Sequence, residues 1–177
     1  MGGGIILRNY RVPTLTIAGS DSSGGAGIQA DLKTFSAIGT YGMSVITAVT
    51  AQNTEGVFAV EELSGEIIKS QIKAIFDDIE PAAVKIGMVS SPEIIVDIVN
   101  TMKKYNPSFL VVDPVMISKS GYSLLKSEAK ENLIKYLIPM AYLVTPNVPE
   151  AEEITGIKIN SVTDMKVAGK KIFELGP

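Results

Sequence analysis

The stretch TLTIAGSDSSGGAGIQADLKTF, Thr14 to Phe35, constrains the fold of this chain more than any other. It reads as a buried strand over 14–18, a glycine-rich turn over 19–27, then an amphipathic helix carrying Asp31. A strand that feeds a helix through a bare-backbone turn is the opening unit of an α/β sheet. The turn is expected to aim its amides outward, where the helix N-terminus favours negative or electron-rich groups.

The same alternation repeats along the chain. The β-branched run Met43 to Thr50 lacks polar alternation and suits a parallel strand covered on both faces, with Gln52 and Asn53 at its carboxyl end. Gly56 to Val60 is a short extra strand. Ser64 caps a helix whose apolar residues Ile68, Ile72, Ile75, Phe76 and Ile79 recur at helical spacing until Pro81. Strands follow at 82–86, 109–112 and 141–144. Between them lie a helix opened by Ser91-Pro92, a longer loop over 115–125 with KSGYS at its tip, and a helix from Ser127. TPNVPEAEEI opens another helix, and a last one runs over 163–175. The expected architecture is a three-layer α/β/α domain with a mainly parallel sheet. Residues 1–12 are set aside as an N-terminal extension or tag scar.

Composition narrows the chemistry. With 177 residues, 46% of them hydrophobic, the chain suits one domain that buries about 70% of its unfolded surface. Sixteen basic against 19 acidic residues leave a net charge of −3, without the basic footprint of a nucleic-acid binder. Cysteine and histidine are both absent. Thiolate metal sites, a cysteine nucleophile and a histidine-based triad are therefore excluded, and positioning chemistry such as phosphoryl transfer remains. No apolar run reaches the roughly 20 residues needed to span a bilayer, and no signal-peptide core is present, so the cytoplasm is the expected compartment.

Ligands of open α/β sheets bind outside the carboxyl ends of the strands. Five stretches are expected to share that rim: 19–27, 52–53, 87–88, 113–116 and 145–150. The glycine loop fails as a Walker A motif, because Gly25 and Ala26 stand where Lys and Ser/Thr belong. Gly25, Gly27 and Ala30 fit a dinucleotide fingerprint loosely, but the acidic residue at the second strand's end is missing. A plain tight turn and a substrate-binding loop remain open. Asp31 alone reads as a solvated helix residue and Gln52 as a surface amide; together they can read the donor–acceptor edge of an aminopyrimidine. Asn147 and Glu150 have capping-box spacing, the reading the pattern favours; the functional alternative is a Mg²⁺ and phosphate site in which Glu150 and Asp113 hold the metal. Lys85, Met88 and Met116 read as packing residues.

Taken in order, GSDSSGGAGIQADLKTF, ITAVTAQNT, KIGM, the DPVM of Asp113 to Met116, KSG and the TPN-x-x-E of Thr145 to Glu150 closely resemble hydroxymethylpyrimidine/phosphomethylpyrimidine kinases of thiamine biosynthesis, within the ribokinase-like superfamily. The resemblance implies an ATP- and Mg²⁺-dependent kinase acting on a small pyrimidine. By position it implies that Gly19, Asp31, Gln52, Met88 and Val115 hold the pyrimidine, that Asn147 and Glu150 serve the phosphates, and that Asp113 and Glu150 hold the metal. It also implies that residues 13–177 form the first two thirds of one kinase domain, ending after the sixth strand–helix unit. The glycine-rich anion hole, the adenine loops and the catalytic residue are expected beyond Pro177, leaving this length inactive alone. Exposed sheet edge and apolar surface suggest a homodimer. Alternatives are a pyridoxal kinase, a sugar kinase of the same superfamily, or a non-catalytic pyrimidine-binding fragment.

Overall fold

The computed structural model describes residues 11–116 and 127–177. The KSGYS tip and most of the N-terminal extension lie outside the described residues. Five strands build one wholly parallel sheet: β1 (Pro13–Ala18), β2 (Tyr41–Ile46), β5 (Ala83–Ile86), β6 (Leu110–Val112) and β7 (Leu143–Val144), in the order β2-β1-β5-β6-β7. A separate two-stranded antiparallel ribbon holds β3 (Ala48–Gln52) and β4 (Val57–Glu62). The helices are α1 (Gly27–Ala37), α2 (Gly65–Phe76), α3 (Pro92–Tyr105), α4 (Ser127–Asn132), α5 (Val148–Thr155) and α6 (Val162–Phe173).

Strand order reverses after β2, so right-handed crossovers put α1 on one face of the sheet and α2, α3 and α4 on the other. The two faces differ in chemistry. Leu15 and Ile17 of β1, Val84 and Ile86 of β5, and Leu110 and Val112 of β6 join Ile68, Ile72, Ile95, Ile98, Met102, Leu133 and Leu137 in the main core. The intervening residues Thr16 and Lys85 are paired neighbours on adjacent strands and face α1 instead. The period-2 geometry of strands thus divides an apolar face from a polar one.

Three expectations need correction. The run read as one strand over 43–50 is two strands in different sheets. Its ladder with β1 ends at Ile46, and Thr47 is a buried pivot whose N–H donates to the Ala18 carbonyl and whose hydroxyl donates to the Met88 carbonyl. The turn diverts the chain into the ribbon with β4, the expected short strand. The helix drawn to Ile79 stops at Phe76, with Asp77 as its C-cap; Ile75 and Ile79 still pack against the core. The helix from Ser127 loosens into a π turn over Leu133–Leu137 and a 3-10 turn over Ile138–Met140, which carries Pro139. The caps at Ser64 and Ser91 form as read, each hydroxyl accepting from the third amide of its helix.

Candidate functional site

The carboxyl ends of β1, β5, β6 and β7 lie side by side and carry Gly19, Gly87, Asp113 and Thr145 along one rim. The backbone ladder continues past the strands: Gly87 donates to the Ile17 carbonyl, Asp113 to Ile86 and Thr145 to Val112, at 2.8–3.1 Å. The rim is therefore held by main chain before any side chain contributes.

At its β1 end the glycine loop folds around Asp21, which sequence reasoning passed over. Asp21 is only 2% exposed. One carboxylate oxygen accepts from the Ser23 amide and hydroxyl, the other from the Gly25 and Ala26 amides, at 2.8–3.0 Å. The loop amides therefore point inward onto Asp21, correcting the outward arrangement expected for a ligand. An internal carboxylate occupies the anion position that the loop amides just before α1 create. Burial alone would raise the Asp21 pKa, but these hydrogen bonds outweigh it and hold the carboxyl below its ordinary value. The signal in the sequence was the D-S-S-G run, a turn-forming Asp ahead of glycine.

Gly19 and Gly27 close the loop. The Ile28 N–H donates to the Gly19 carbonyl, and Gly27 has φ +55°. A Cβ on Gly27 would overlap the Gly19 carbonyl oxygen. A Cβ on Gly19 would lie 2.5 Å from Met88 Cε, so Gly19 and Met88 meet directly.

Gln52 reaches the rim by another route than a central strand. Its N–H donates to Ser22 Oγ at 2.9 Å, and Ser22 Oγ donates back to its carbonyl at 2.6 Å. Thr50 Oγ1 donates to the Ser20 carbonyl, and the Ser20 N–H to the Ala48 carbonyl, both at 2.8 Å. The ribbon is stitched to the glycine loop, with the Gln52 side chain beside it.

Asp31 sits on the inner side of α1 and is 18% exposed. Its Oδ2 accepts from Thr16 Oγ1 at 2.6 Å and from Lys85 Nζ at 3.0 Å, while Oδ1 lies 3.2 Å from the same ammonium. Lys85 also stands 3.5 Å from Asp113 Oδ2. Lys85 is thus an ion-pair residue joining two rim carboxylates, and its reading as packing is corrected. A lysine inside a strand of a covered parallel sheet was the overlooked signal, because such strands are expected to be apolar.

At the β7 end, Asn147 and Glu150 form a complete capping box: Asn147 Oδ1 accepts from the Glu150 N–H, and Glu150 Oε2 from the Asn147 N–H, each at 2.9 Å. Glu150 is 4% exposed. Burial raises its pKa from the ordinary 4.5; the Asn147 amide opposes this, the Asp113 charge adds to the rise, and the Met116 amide and Asn147 side chain lower it again. Glu150 and Asp113 therefore feel each other's charge across the ends of β6 and β7. Val115 follows Asp113 on the same rim, its N–H donating to the Asp113 carbonyl. Among the described residues no three acidic groups cluster as a ready-made metal cage.

Replacing Glu150 with Gln tests this burial. The native state holds the Glu150 proton more tightly than the unfolded chain, so stability falls as pH rises from 4.5 through the raised native value, and the loss is complete above it. Gln keeps the cap and removes the charge. Urea melts should show Glu150→Gln as stable as the parent at pH 5, and more stable by about 1 kcal/mol at pH 8.

An open parallel sheet covered on both faces, with a polar rim at its strand ends, makes a three-layer α/β/α domain, a class whose ligands bind outside the carboxyl ends of the strands. The chain belongs to the phosphomethylpyrimidine kinase family, whose model matches residues 21–177. It is 50% identical over 162 residues to the hydroxymethylpyrimidine/phosphomethylpyrimidine kinase of Bacillus subtilis, covering 92% of this chain and 60% of that protein. Its backbone matches the crystal structure of phosphomethylpyrimidine kinase from Clostridium difficile with TM-score 0.90 at 78% identity, over 94% of this chain and 72% of that one. It also matches an ADP complex of Bacillus subtilis pyridoxal kinase with TM-score 0.85 at 40% identity, over 94% and 63% of the two chains. The fold is thus ribokinase-like, as expected.

Proposed function

We propose that the protein is an ATP-dependent kinase that phosphorylates the hydroxymethyl group of 4-amino-5-hydroxymethyl-2-methylpyrimidine, and then the resulting monophosphate, in thiamine biosynthesis. The family and the names of its relatives support this reading; the chain spans about 60% of the length of the Bacillus subtilis relative. The observation that carries it is a polar rim at the strand ends that holds Asp31 with the glycine loop and a pair of interacting carboxylates. Asp31, Gln52 and the loop of Gly19 lie at one end of the rim, and Asp113 with Glu150 at the other. Residues 13–177 then supply the first part of a single kinase domain.

In this reading Asp31 accepts from the exocyclic amine and Gln52 reads the adjacent ring edge, while Met88 and Val115 wall the ring. The substrate hydroxyl oxygen attacks the γ-phosphorus of ATP, the bond to the ADP oxygen breaks, and the hydroxyl proton is released. Asp113 and Glu150 offer hard oxygen donors for Mg²⁺: Glu150 is buried beside the Asp113 charge, and the ammonium nearest Asp113, that of Lys85 at 3.5 Å, is shared with Asp31. Bound there, the metal would neutralise phosphate charge, and Asn147 at the α5 N-terminus would face the same phosphates. We place this activity in the cytoplasm; no described helix is long and apolar enough to cross a membrane.

Coupled ADP release tests the proposal on the protein at the full length of its gene. Turnover on the hydroxymethylpyrimidine is expected to exceed that on pyridoxal at least tenfold. The reverse order would favour the pyridoxal kinase reading that the 40% identical neighbour supports. We also propose a homodimer, supported by the edge of β4 that no strand among the described residues pairs with, and by the exposed Val49 and Phe58 of the ribbon. Sedimentation should give twice the chain mass, and a monomer at tens of micromolar would overturn it.

A further inference from the structure

We propose that Lys85 is a positioning residue that sets specificity for an amino-bearing pyrimidine by fixing the Asp31 carboxylate. The inference rests on the kinase reading above and goes beyond it to a residue that reading does not use. A carboxylate offers about four acceptor positions. At Asp31 three of them have donors: Thr16 Oγ1 and Lys85 Nζ on Oδ2, and Lys85 Nζ on Oδ1. One position on Oδ1 remains for a ligand. A carboxylate pinned in this way has no freedom to turn a second face, so it presents one directed acceptor and rewards a donor, such as an exocyclic amine, at one place.

The fold makes room for this arrangement at some cost. Thr16 and Lys85 are paired in register on β1 and β5, which brings both donors under the same turn of α1. Gly87, two residues beyond Lys85, leaves its Cβ space open, and a Cβ there would stand 2.8 Å from the ammonium. An apolar residue at position 85 would satisfy a covered parallel strand, and ion pairs replaced by packed apolar side chains are often neutral or stabilising. Simple attachment of α1 to the sheet therefore does not call for a lysine. Its second partner, Asp113 at 3.5 Å, places the same positive charge between the pyrimidine corner and the acidic pair.

Calorimetry with the hydroxymethylpyrimidine and with its analogue lacking the 4-amino group tests the proposal, alongside a thermal melt of each variant. The parent protein should prefer the amino compound. Lys85→Met should weaken binding of the amino compound about tenfold or more while leaving the analogue within about twofold, so that discrimination collapses. Lys85→Arg should restore part of it. Thr16→Val keeps the shape of a strand residue and removes only one donor, and should weaken the amino compound severalfold in the same direction. It decides the matter if Lys85→Met does not fold. A Lys85→Met or Thr16→Val protein that melts earlier yet keeps full discrimination would show a structural anchor and overturn the proposal. A parent protein that binds neither compound would overturn the pyrimidine reading itself, before any variant is compared.

Discussion

Gly27→Ala should lower stability by about 3 kcal/mol or more and abolish pyrimidine binding. Two separate terms add. The residue sits at φ +55°, where an L side chain costs roughly 1–2 kcal/mol. Its new methyl group would also overlap the Gly19 carbonyl oxygen and come within 3.3 Å of the Asp21 amide nitrogen. Both obstacles are backbone and cannot swing aside. Relief requires breaking the bond from the Ile28 N–H to Gly19, which seats the first turn of α1 on the end of β1. At about 2–4 °C per kcal/mol for a domain of this size, the melting temperature should fall by about 6–12 °C. Gly39→Ala is the control. Gly39 has φ +85° but nothing within 4 Å of its Cβ position, so only the conformational term applies, about 1–2 kcal/mol. Equal losses in the two variants would refute the steric argument.

Asp21→Asn is the second large effect. The substitution is close to isosteric, yet it puts an amide donor where one oxygen receives the Gly25 and Ala26 N–H groups. Two loop amides then face a donor in a buried place, and the charge that held all four hydrogen bonds is gone. A loss of about 2–4 kcal/mol is expected. The pH dependence gives an independent check. The native Asp21 carboxyl titrates below its ordinary 3.8, so its contribution is fully present above 3.8 and disappears as pH falls through the lower native value. Acid unfolding of the parent between about pH 4 and 2 should therefore be steeper than that of the Asn variant. Equal acid slopes would count against Asp21 as the centre of the loop.

Much of the fold was legible because each strand–helix unit announces itself locally. Ser64, Ser91-Pro92 and Asn147 mark helix starts with side chains that act within three residues, and all three caps form. The break at Thr47 was not legible. ITAVTAQ keeps one β-branched texture across it, and the diversion depends on Thr47 reaching Ala18 and Met88. The site divided along the same line. Residue types and strand ends placed Gly19, Asp113 and Glu150 on the rim, because parallel topology alone brings strand ends together. Asp21 and Lys85 were missed because their roles depend on partners distant in space or hidden inside the turn. Asp21 acts on amides that the loop must first fold back, and Lys85 on carboxylates 54 residues before it and on the neighbouring strand's end. Each was nonetheless anomalous where it stood, a carboxylate in a turn of small residues and an ammonium in a covered strand.

The stitching between β3 and the glycine loop has a mechanical consequence. Four hydrogen bonds join 20–22 to 48–52, so ribbon and loop breathe as one unit. A small molecule that quiets the loop also quiets the ribbon, and amide protons in both should slow their exchange by similar factors, including those of β4, which contributes no residue to the proposed site.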